Sequence, residues 1–174
     1  MRAPNNQLKP QDLLVLLKVI SLNNPDWKQL PMADALGLSQ SEISEAVKRL
    51  KYSGLIAPKG KTVMKSALME FIQYGLRYVF PQQPGAVVRG VPTSHSASPL
   101  KDLIQSQEAY VWPYSKGEVR GHSIAPLYST APEAALKDEK LHELLALVDA
   151  VRVGRSRERE LACMELQKRF GLGK

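Results

Sequence analysis

The sequence has little of what secreted, disulfide-rich and membrane proteins need. Cys163 is its one cysteine, so no disulfide can form within the chain, as is typical of proteins in a reducing compartment. No apolar run approaches the roughly 20 residues of a membrane-spanning helix. The opening residues MRAPNNQLKP have no apolar stretch typical of a signal peptide. We therefore expect a cytoplasmic protein that has no membrane partner.

Residue patterns that support catalysis are missing as well. His95, His122 and His142 are too widely spaced to form a local metal-binding pair, and Cys163 has no partner at ligand spacing. Ser94 and His95 are adjacent, but the G-x-S-x-G turn that exposes a nucleophilic serine does not occur. A glycine-rich phosphate-binding loop is not present either. The sequence predicts a protein that is not an enzyme and that has no catalytic residues, no metal site and no cofactor.

Aromatic residues are also scarce, at 6% of the chain, although hydrophobic residues of all kinds make up 44%. Leu, Ile, Val and Ala must therefore provide most of the core. A length of 174 residues is enough for one large domain or two small ones.

Basic residues outnumber acidic ones, and the excess is concentrated at one end of the chain. The formal net charge is +7. Residues 1–66 contain ten basic and five acidic side chains, whereas residues 67–132 and 133–174 each have an excess of one basic residue. A local basic excess attracts polyanions, so nucleic acid is a candidate partner of the first third of the chain. A solvated basic surface is the alternative interpretation.

Three helices are predicted at the start of the chain. In PQDLLVLLKVISL (10–22) the apolar residues recur at helical spacing. A short helix in KQLPMADAL (28–36) is followed by Gly37, which suits the left-handed conformation of a helix C-cap. The third helix begins at Ser39, which forms an S-x-x-E capping box with Glu42. It carries an apolar stripe that consists of Ile43, Ala46, Val47 and Leu50.

A hairpin and a fourth helix complete the N-terminal unit. LIA (55–57) and TVM (62–64) are predicted short strands around PKGK (58–61), whose tip is Lys-Gly-Lys. KSALMEFIQYGLRYVF (65–80) repeats apolar residues every three or four positions, which predicts one helix with a wide apolar face. PQQPG (81–85) then marks a domain boundary.

The second half, residues 81–174, is predicted to be a smaller α/β region. AVV (86–88) and AYVWPYSKGEVRGHSI (109–124), interpreted as two strands joined at SKG, supply its strands. GVPTSHSASPL (90–100) is rich in Pro, Ser and Gly and predicts a loop. The fold class that we expect for the whole chain is α+β and mostly helical.

Two helices are predicted to end the chain. The first covers residues 130–154 and is opened by a capping box of Thr130 and Glu133. The second has Ser156 as its N-cap and Gly171 as its C-cap.

The order of the N-terminal elements resembles a known DNA-binding fold. Three helices, with a glycine turn between the second and third, and then a basic-tipped hairpin are similar to the winged helix-turn-helix of bacterial transcription regulators, the MarR-like ones in particular. QLPMADALGLSQSEISEAVKRLKYSGLI (29–56) and PKGKTV (58–63) carry the resemblance, which covers residues 8–80. It implies a winged helix-turn-helix domain over residues 1–80 whose third helix enters the major groove of duplex DNA.

Helical geometry places polar side chains opposite the apolar stripe of the third helix, where they can meet base edges and phosphates. Glu45 would be repelled by DNA unless it accepts a hydrogen bond from a cytosine amino group. It is therefore either a specificity residue or a sign that the outward face is rotated. The predicted DNA contacts are the basic, hydroxyl, amide and carboxylate side chains Lys28, Gln40, Ser41, Ser44, Glu45, Lys48, Arg49, Lys51, Tyr52, Lys59 and Lys61.

These residues predict a transcription regulator, a dimeric repressor that binds double-stranded DNA through residues 1–80. A homodimer is expected because one recognition helix contacts too few base pairs for a specific site. The apolar faces of the fourth helix and of the two C-terminal helices are the candidate dimer surfaces.

Two other classes of protein remain as alternatives. One is an adaptor or antitoxin-like protein whose half 81–174 binds a partner protein and whose DNA binding serves autoregulation. A wide exposed apolar patch on that half would favour it. The other is an enzyme that acts on a nucleotide with the arginines of residues 152–159 and a carboxylate of Asp149 or Glu143. A pocket that joins those groups would favour the enzyme.

Overall fold

The computed structural model describes residue 3 and residues 5–173, which form a mostly helical α+β structure. Over this part of the chain the helices are α1 (Pro10–Leu22), α2 (Gln29–Leu36), α3 (Gln40–Tyr52), α4 (Lys65–Tyr74), α5 (Leu76–Val79), α6 (Ala131–Leu136), α7 (Glu139–Val153) and α8 (Ser156–Arg169). The strands are β1 (Val87–Pro92), β2 (Tyr110–Pro113) and β3 (Val119–Ser123). None of the helices in this part is long and apolar enough to cross a membrane.

The first three helices lie where the sequence predicts them, because local signals define their ends. Gly37 adopts the left-handed conformation after α2, with φ of 65°. The predicted capping box of α3 is present: the Ser39 hydroxyl accepts from the Glu42 backbone N–H at 3.1 Å. In return, the Ser39 N–H donates to the Glu42 carboxylate at 2.7 Å.

The hairpin after α3 is shorter than predicted. Residues 55–64 form a single isolated bridge between Ile56 and Val63. Hydrogen bonds from Ala57 N to Thr62 O and from Met64 N to Leu55 O, both 2.9 Å, close it. Its tip, PKGK, has a proline without an N–H and no apolar side chain to bury, so it does not extend the ladder.

The helix predicted over 65–80 is interrupted at Gly75, whose φ is −119°. α4 therefore ends before it and α5 adds one short turn after it. Glycine has no side chain that could pack and hold the helical conformation, which costs about 1 kcal/mol relative to alanine. The apolar face predicted for this segment is covered in part. Leu68, Ile72 and Leu76 are buried, whereas Val79 at its end is 50% exposed.

The three strands pair with one another to make a small closed sheet. β1 is antiparallel to both β2 and β3, and β2 pairs with β3 in parallel, with Tyr110 opposite His122. The segment 109–124 thus contains two strands, as predicted, but they do not form a hairpin. The predicted loop 90–100 gives its first three residues to β1, and Ser94–Ser96 is a 3₁₀ turn.

Two glycines, one on β1 and one between β2 and β3, allow the backbones of this sheet to lie close together. A Cβ on Gly90 would lie 1.9 Å from the carbonyl oxygen of Trp112. A Cβ on Gly117 would lie 2.3 Å from the carbonyl oxygen of Gly90. No other residue fits at these two positions without a shift of the backbone.

The helix predicted over 130–154 is two helices, α6 and α7. Asp138 lies between them in an extended conformation and caps α7, accepting a hydrogen bond from Leu141 N at 3.1 Å. The predicted capping box of Thr130 and Glu133 is wrong, because the Thr130 side chain makes no capping hydrogen bond. α8 begins at Ser156 with Arg155 as its N-cap, one residue before the predicted cap.

One hydrophobic core joins the two halves of the chain. α7 lies at its centre and packs against α1, α5, α6 and α8. Leu141, Leu144, Leu145 and Val148 of α7 are buried, as are Leu166 and Phe170 at the end of the chain. Most of the apolar residues that we assigned to a dimer surface are thus covered within the chain, but Val79 and Met164 stay about half exposed. The structure therefore weakens that reason for expecting a dimer.

Candidate nucleic-acid interface

α3 separates its apolar and polar residues between two faces. Ile43, Ala46 and Leu50 are buried against α1 and α2, which are its main packing partners. The opposite face is open to solvent, because the second half of the chain packs mainly on α1, α2, α4 and α5. Of the predicted DNA contacts on α3, Gln40, Ser41, Glu45, Lys48 and Tyr52 are exposed, and Ser44 and Lys51 are half-buried.

Arg49 is the one predicted contact of α3 that points into the protein. Its side chain is buried, and its guanidinium donates to both carboxylate oxygens of Asp12 at 2.9 and 2.8 Å. The hydrogen bonds to Asp12 raise the pKa of Arg49. Its donors are therefore used inside the fold, and Arg49 does not belong to the outer face of α3.

Glu45 is paired on the outer face rather than free. Lys48 donates to its carboxylate at 2.9 Å, and the two side chains are 69% and 56% exposed, Lys48 being the more exposed. The hydrogen bond and charge of Lys48 lower the pKa of Glu45. An exposed pair of this kind is weak because solvent screens it, so Lys48 can bind a DNA phosphate instead. Lys48 also reduces the repulsion between Glu45 and DNA.

A residue from the second half of the chain reaches the amino end of α3. The Tyr128 hydroxyl donates to the Glu42 carboxylate at 3.2 Å. The hydrogen bonds from the Ser39 backbone and hydroxyl, and then that from Tyr128, lower the pKa of Glu42. Thr130 packs on the turn before α3, 3.3 Å from a Cβ placed on Gly37. These contacts fix the amino end of α3 against the second half of the chain.

The two lysines of the hairpin tip have different surroundings. Lys59 is exposed and has no hydrogen bond or ion pair among the described residues. The Lys61 ammonium donates to the Trp27 carbonyl at 2.6 Å and lies 5.3 Å from the centre of the Trp27 ring. The indole N–H of Trp27 donates back to the Lys61 carbonyl at 3.3 Å. Lys61 thus attaches the hairpin to the segment before α2.

Lys28 follows Trp27 in the chain and is exposed at the N-cap position of α2. The contact between Lys61 and the buried Trp27 brings the start of α2 and the hairpin together. Lys28 and Lys59 are exposed, at the start of α2 and at the hairpin tip respectively.

The arginines of residues 152–159 do not form one site. Arg152 is buried and binds Asp149 at 2.9 Å and the carbonyl oxygens of Phe80 and Ala125 at 3.1 and 3.2 Å. Arg159 donates to the Gly154 carbonyl, whereas Arg155 and Arg157 are exposed. Glu143, the other carboxylate of the enzyme alternative, binds Arg169 instead.

The sequence patterns did not predict the buried hydrogen-bond network around Asp149. Asp149 also accepts from the Thr93 hydroxyl at 2.7 Å and from the Trp112 indole at 2.6 Å. Burial raises the pKa of Asp149, and Arg152, Thr93 and Trp112 oppose that rise. An acidic residue within the apolar stripe of α7 was the available signal, because a buried carboxylate needs donors. The network links β2 and α7 to the residues that directly follow β1 and α5.

The three histidines each contact a backbone carbonyl oxygen: His95 that of Glu108, His122 that of Gly85 and His142 that of Pro92. His95 and His122 also pack on the ring of Tyr110, and the described residues contain no cluster that could hold a metal ion. Compared with protein-family models, with curated protein sequences and with solved structures, the chain matches none. Its function has to be argued from its own residues.

Proposed function

We propose that the protein is a sequence-specific transcription regulator that binds duplex DNA through a winged helix-turn-helix formed by α1–α3 and the hairpin 55–64. In its simplest form it is a repressor that occupies its operator. The observation that carries the proposal is the outer face of α3. It is polar, it holds hydroxyl, amide and charged groups, and the second half of the chain leaves it uncovered while it covers most of the other helices.

Each group on this face has a role that its chemistry supports. Ser41 and Ser44, near the amino end of α3, can donate to or accept from base edges in the major groove. Lys48, Lys51 and Lys59 supply ammonium groups for phosphates, which fix the position of the protein without reading sequence. Tyr52 is 72% exposed at the far end of the helix and offers a hydroxyl to the backbone.

The basic excess of residues 1–66 supports the same proposal, because the outer face of α3 and the hairpin tip belong to that part of the chain. Binding of specific DNA by a single helix-turn-helix covers few base pairs, so the regulator would act as a homodimer on two half-sites. Sedimentation of the protein with and without its DNA site tests the homodimer.

The experiment that tests DNA binding is a selection of bound fragments from genomic DNA with the full chain, followed by a salt titration on the selected site. Affinity should fall with a log–log slope of about −0.9 for each phosphate that a lysine contacts. Lys48→Ala should reduce this slope by about one contact. Lys116→Ala is the matched control, because Lys116 is exposed in the segment between β2 and β3. Selection of no site, with binding that hardly responds to salt, would remove the proposal.

The adaptor alternative gains no support from the second half of the chain. The exposed large apolar residues there are Val87, Leu103, Leu136, Met164 and Leu172. The turn before Leu103 contacts α8, which carries Met164, but two residues do not make a wide apolar patch. The exposed residues Tyr74, Tyr78 and Val79 lie close together in sequence, but they belong to α4 and α5. We therefore propose the regulator alone.

A further inference from the structure

A cleft of about 520 Å³ lies between the two halves of the chain. One wall comes from the end of α1 and the start of α4. The other wall comes from the first half of α7 and the end of α8. The lining residues that matter for its chemistry are Ile20, Asn23, Lys65, Lys140, Leu144 and Arg169.

The cleft has more positive charge than its own carboxylates neutralise. Glu143 accepts from Arg169 at 3.2 and 3.0 Å. Glu165, just outside the lining, accepts from Lys168 at 2.9 Å and from Arg169 at 2.6 Å. In the part of the chain that the structure describes, the other two cations, Lys65 and Lys140, have no carboxylate within ion-pair distance. Asp138, which accepts from Ser21 at the cleft edge, is itself paired with Lys18 at 2.6 Å. Lys65 and Lys140 are therefore the two lining cations that have no carboxylate partner among the described residues.

The floor and size of the cleft suit a small molecule. Leu144 is buried and Ile20 is half-buried, so the cleft offers apolar surface between its charged edges. Small-molecule sites have volumes of about 300–1,000 Å³ and combine apolar walls with a few polar groups. The side-chain amide of Asn23, at the end of α1, adds hydrogen-bonding capacity at the same edge.

We propose that this cleft binds a small organic dianion, a phosphate monoester or a dicarboxylate, with its charged group between Lys65 and Lys140. Two negative charges match these two lysines, and the apolar part of the ligand contacts Ile20 and Leu144. The ligand connects α4 of the first half with α7 of the second half, so its binding stabilises the packing between them.

A DNA backbone fits the cleft less well than a small dianion. A rigid duplex contacts side chains that protrude, whereas Leu144 lies buried at the floor of a concave surface. Lys65 and Lys140 belong to opposite walls of the cleft, so a compact anion can contact both. DNA is nevertheless an outcome that the experiment must distinguish.

The test is calorimetric titration of the full chain, without DNA, with phenyl phosphate and with phthalate. Benzyl alcohol is the neutral control, and the ionic strength is held constant with chloride. At least one dianion should bind saturably at one site per chain and raise the melting temperature. Lys65→Ala and Lys140→Ala should each lower the affinity about tenfold or more, as the loss of a charged hydrogen-bond partner predicts. Lys116→Ala should leave it unchanged.

The results of this titration distinguish a phosphate monoester from a dicarboxylate, and they decide whether the cleft binds a dianion at all. Binding of phenyl phosphate alone assigns a phosphate monoester, and binding of phthalate alone assigns a dicarboxylate. Failure of both to bind, or binding that Lys65→Ala and Lys140→Ala leave intact, overturns the proposal. If neither dianion binds and Lys140→Ala weakens duplex binding, the lysines belong to a DNA surface instead. Because the titration contains no DNA, its failure is distinct from a failure of the proposed DNA binding. Thermal melts of each variant check that it is folded.

Discussion

Arg49 and Asp12 form a buried ion pair that fixes α3 to α1 through two hydrogen bonds, from Arg49 Nε and Nη2 to the two carboxylate oxygens at 2.9 and 2.8 Å. Asp12 also accepts from the backbone N–H of Lys9 at 2.9 Å, at the start of α1. The pair therefore determines how the helix with the proposed base-reading face is oriented in the domain.

Arg49→Ala should destabilise the fold, because it leaves the carboxylate of Asp12 buried without its cation. Breaking a buried pair in this way costs about 3–5 kcal/mol. Urea unfolding at neutral pH measures the change. Lys48→Ala is the matched control, since it breaks an exposed pair on the same helix and should cost no more than about 1 kcal/mol. Equal midpoints for the two variants would show that the buried pair does not hold α3.

Asp138 makes the stability depend on pH in the acid range. Burial alone would raise the pKa of Asp138, but hydrogen bonds from Lys18, Leu141 and Ser21 outweigh it, and the pKa is lowered. A carboxyl group with a lowered pKa in the folded state stabilises the protein above its ordinary pKa. This contribution is lost as the pH falls through the folded-state pKa.

Asp138→Asn tests this dependence, because asparagine can still cap α7 but cannot pair with Lys18, 2.6 Å away. Wild type should be more stable than the variant by about 1–2 kcal/mol at pH 7. The difference should shrink below about pH 4 as Asp138 takes up a proton. Unfolding curves over a pH series give the comparison. Glu133→Gln, at an exposed pair with Lys137, is the control and should show no such trend. A constant difference at every pH would contradict the assignment.

Lys59→Ala and Lys61→Ala should separate phosphate binding from stability. Lys61 holds Trp27 by a hydrogen bond and lies over its ring, so its loss should lower the stability by about 1 kcal/mol. Lys59 has no such contact, and its change should leave the melting temperature unaltered. Lys59→Ala should weaken binding to specific and random duplexes alike, since a phosphate contact carries no sequence information. A loss confined to the selected site would show that the hairpin reads bases.

Local signals in the sequence predict the first three helices well. The capping box at Ser39 and the left-handed glycine at position 37 depend on neighbours in the chain, and the structure has both where they are expected. The single helices predicted over 65–80 and 130–154 were wrong. Apolar spacing continues across Gly75 and Asp138, and only tertiary contacts of Asp138, such as that with Lys18, show why the second helix restarts there.

The outward face of α3 could be predicted apart from Arg49. Helical geometry places Arg49 on a flank, and it cannot show that a long side chain turns inward to an acid 37 residues earlier in the chain. Asp12, a lone acid beside the apolar stripe of α1, was the available signal. The pairing of β1 with both β2 and β3, and the network around Asp149, depend on residues that are far apart in sequence, so no local pattern contains them.

Changes at the amino-terminal half of α3 distinguish a helix that reads DNA from one that only supports the fold. Ser44 is half-buried and Glu45 exposed, and neither caps the helix. Ser44→Ala and Glu45→Ala should therefore alter the stability by no more than about 0.5 kcal/mol. They should shift the preferred operator sequence by about 1–3 kcal/mol at the base pairs that they touch.

Ser39→Ala is the internal control, because it removes the hydroxyl that accepts from the Glu42 backbone N–H at 3.1 Å. It should cost about 1 kcal/mol of stability and weaken binding to every site together. Thermal melts of the three variants measure their stability, and binding-site selection measures their sequence preference. If Ser44→Ala and Glu45→Ala select the same sites as wild type with the same discrimination, α3 does not read sequence and the proposed regulator has to be abandoned.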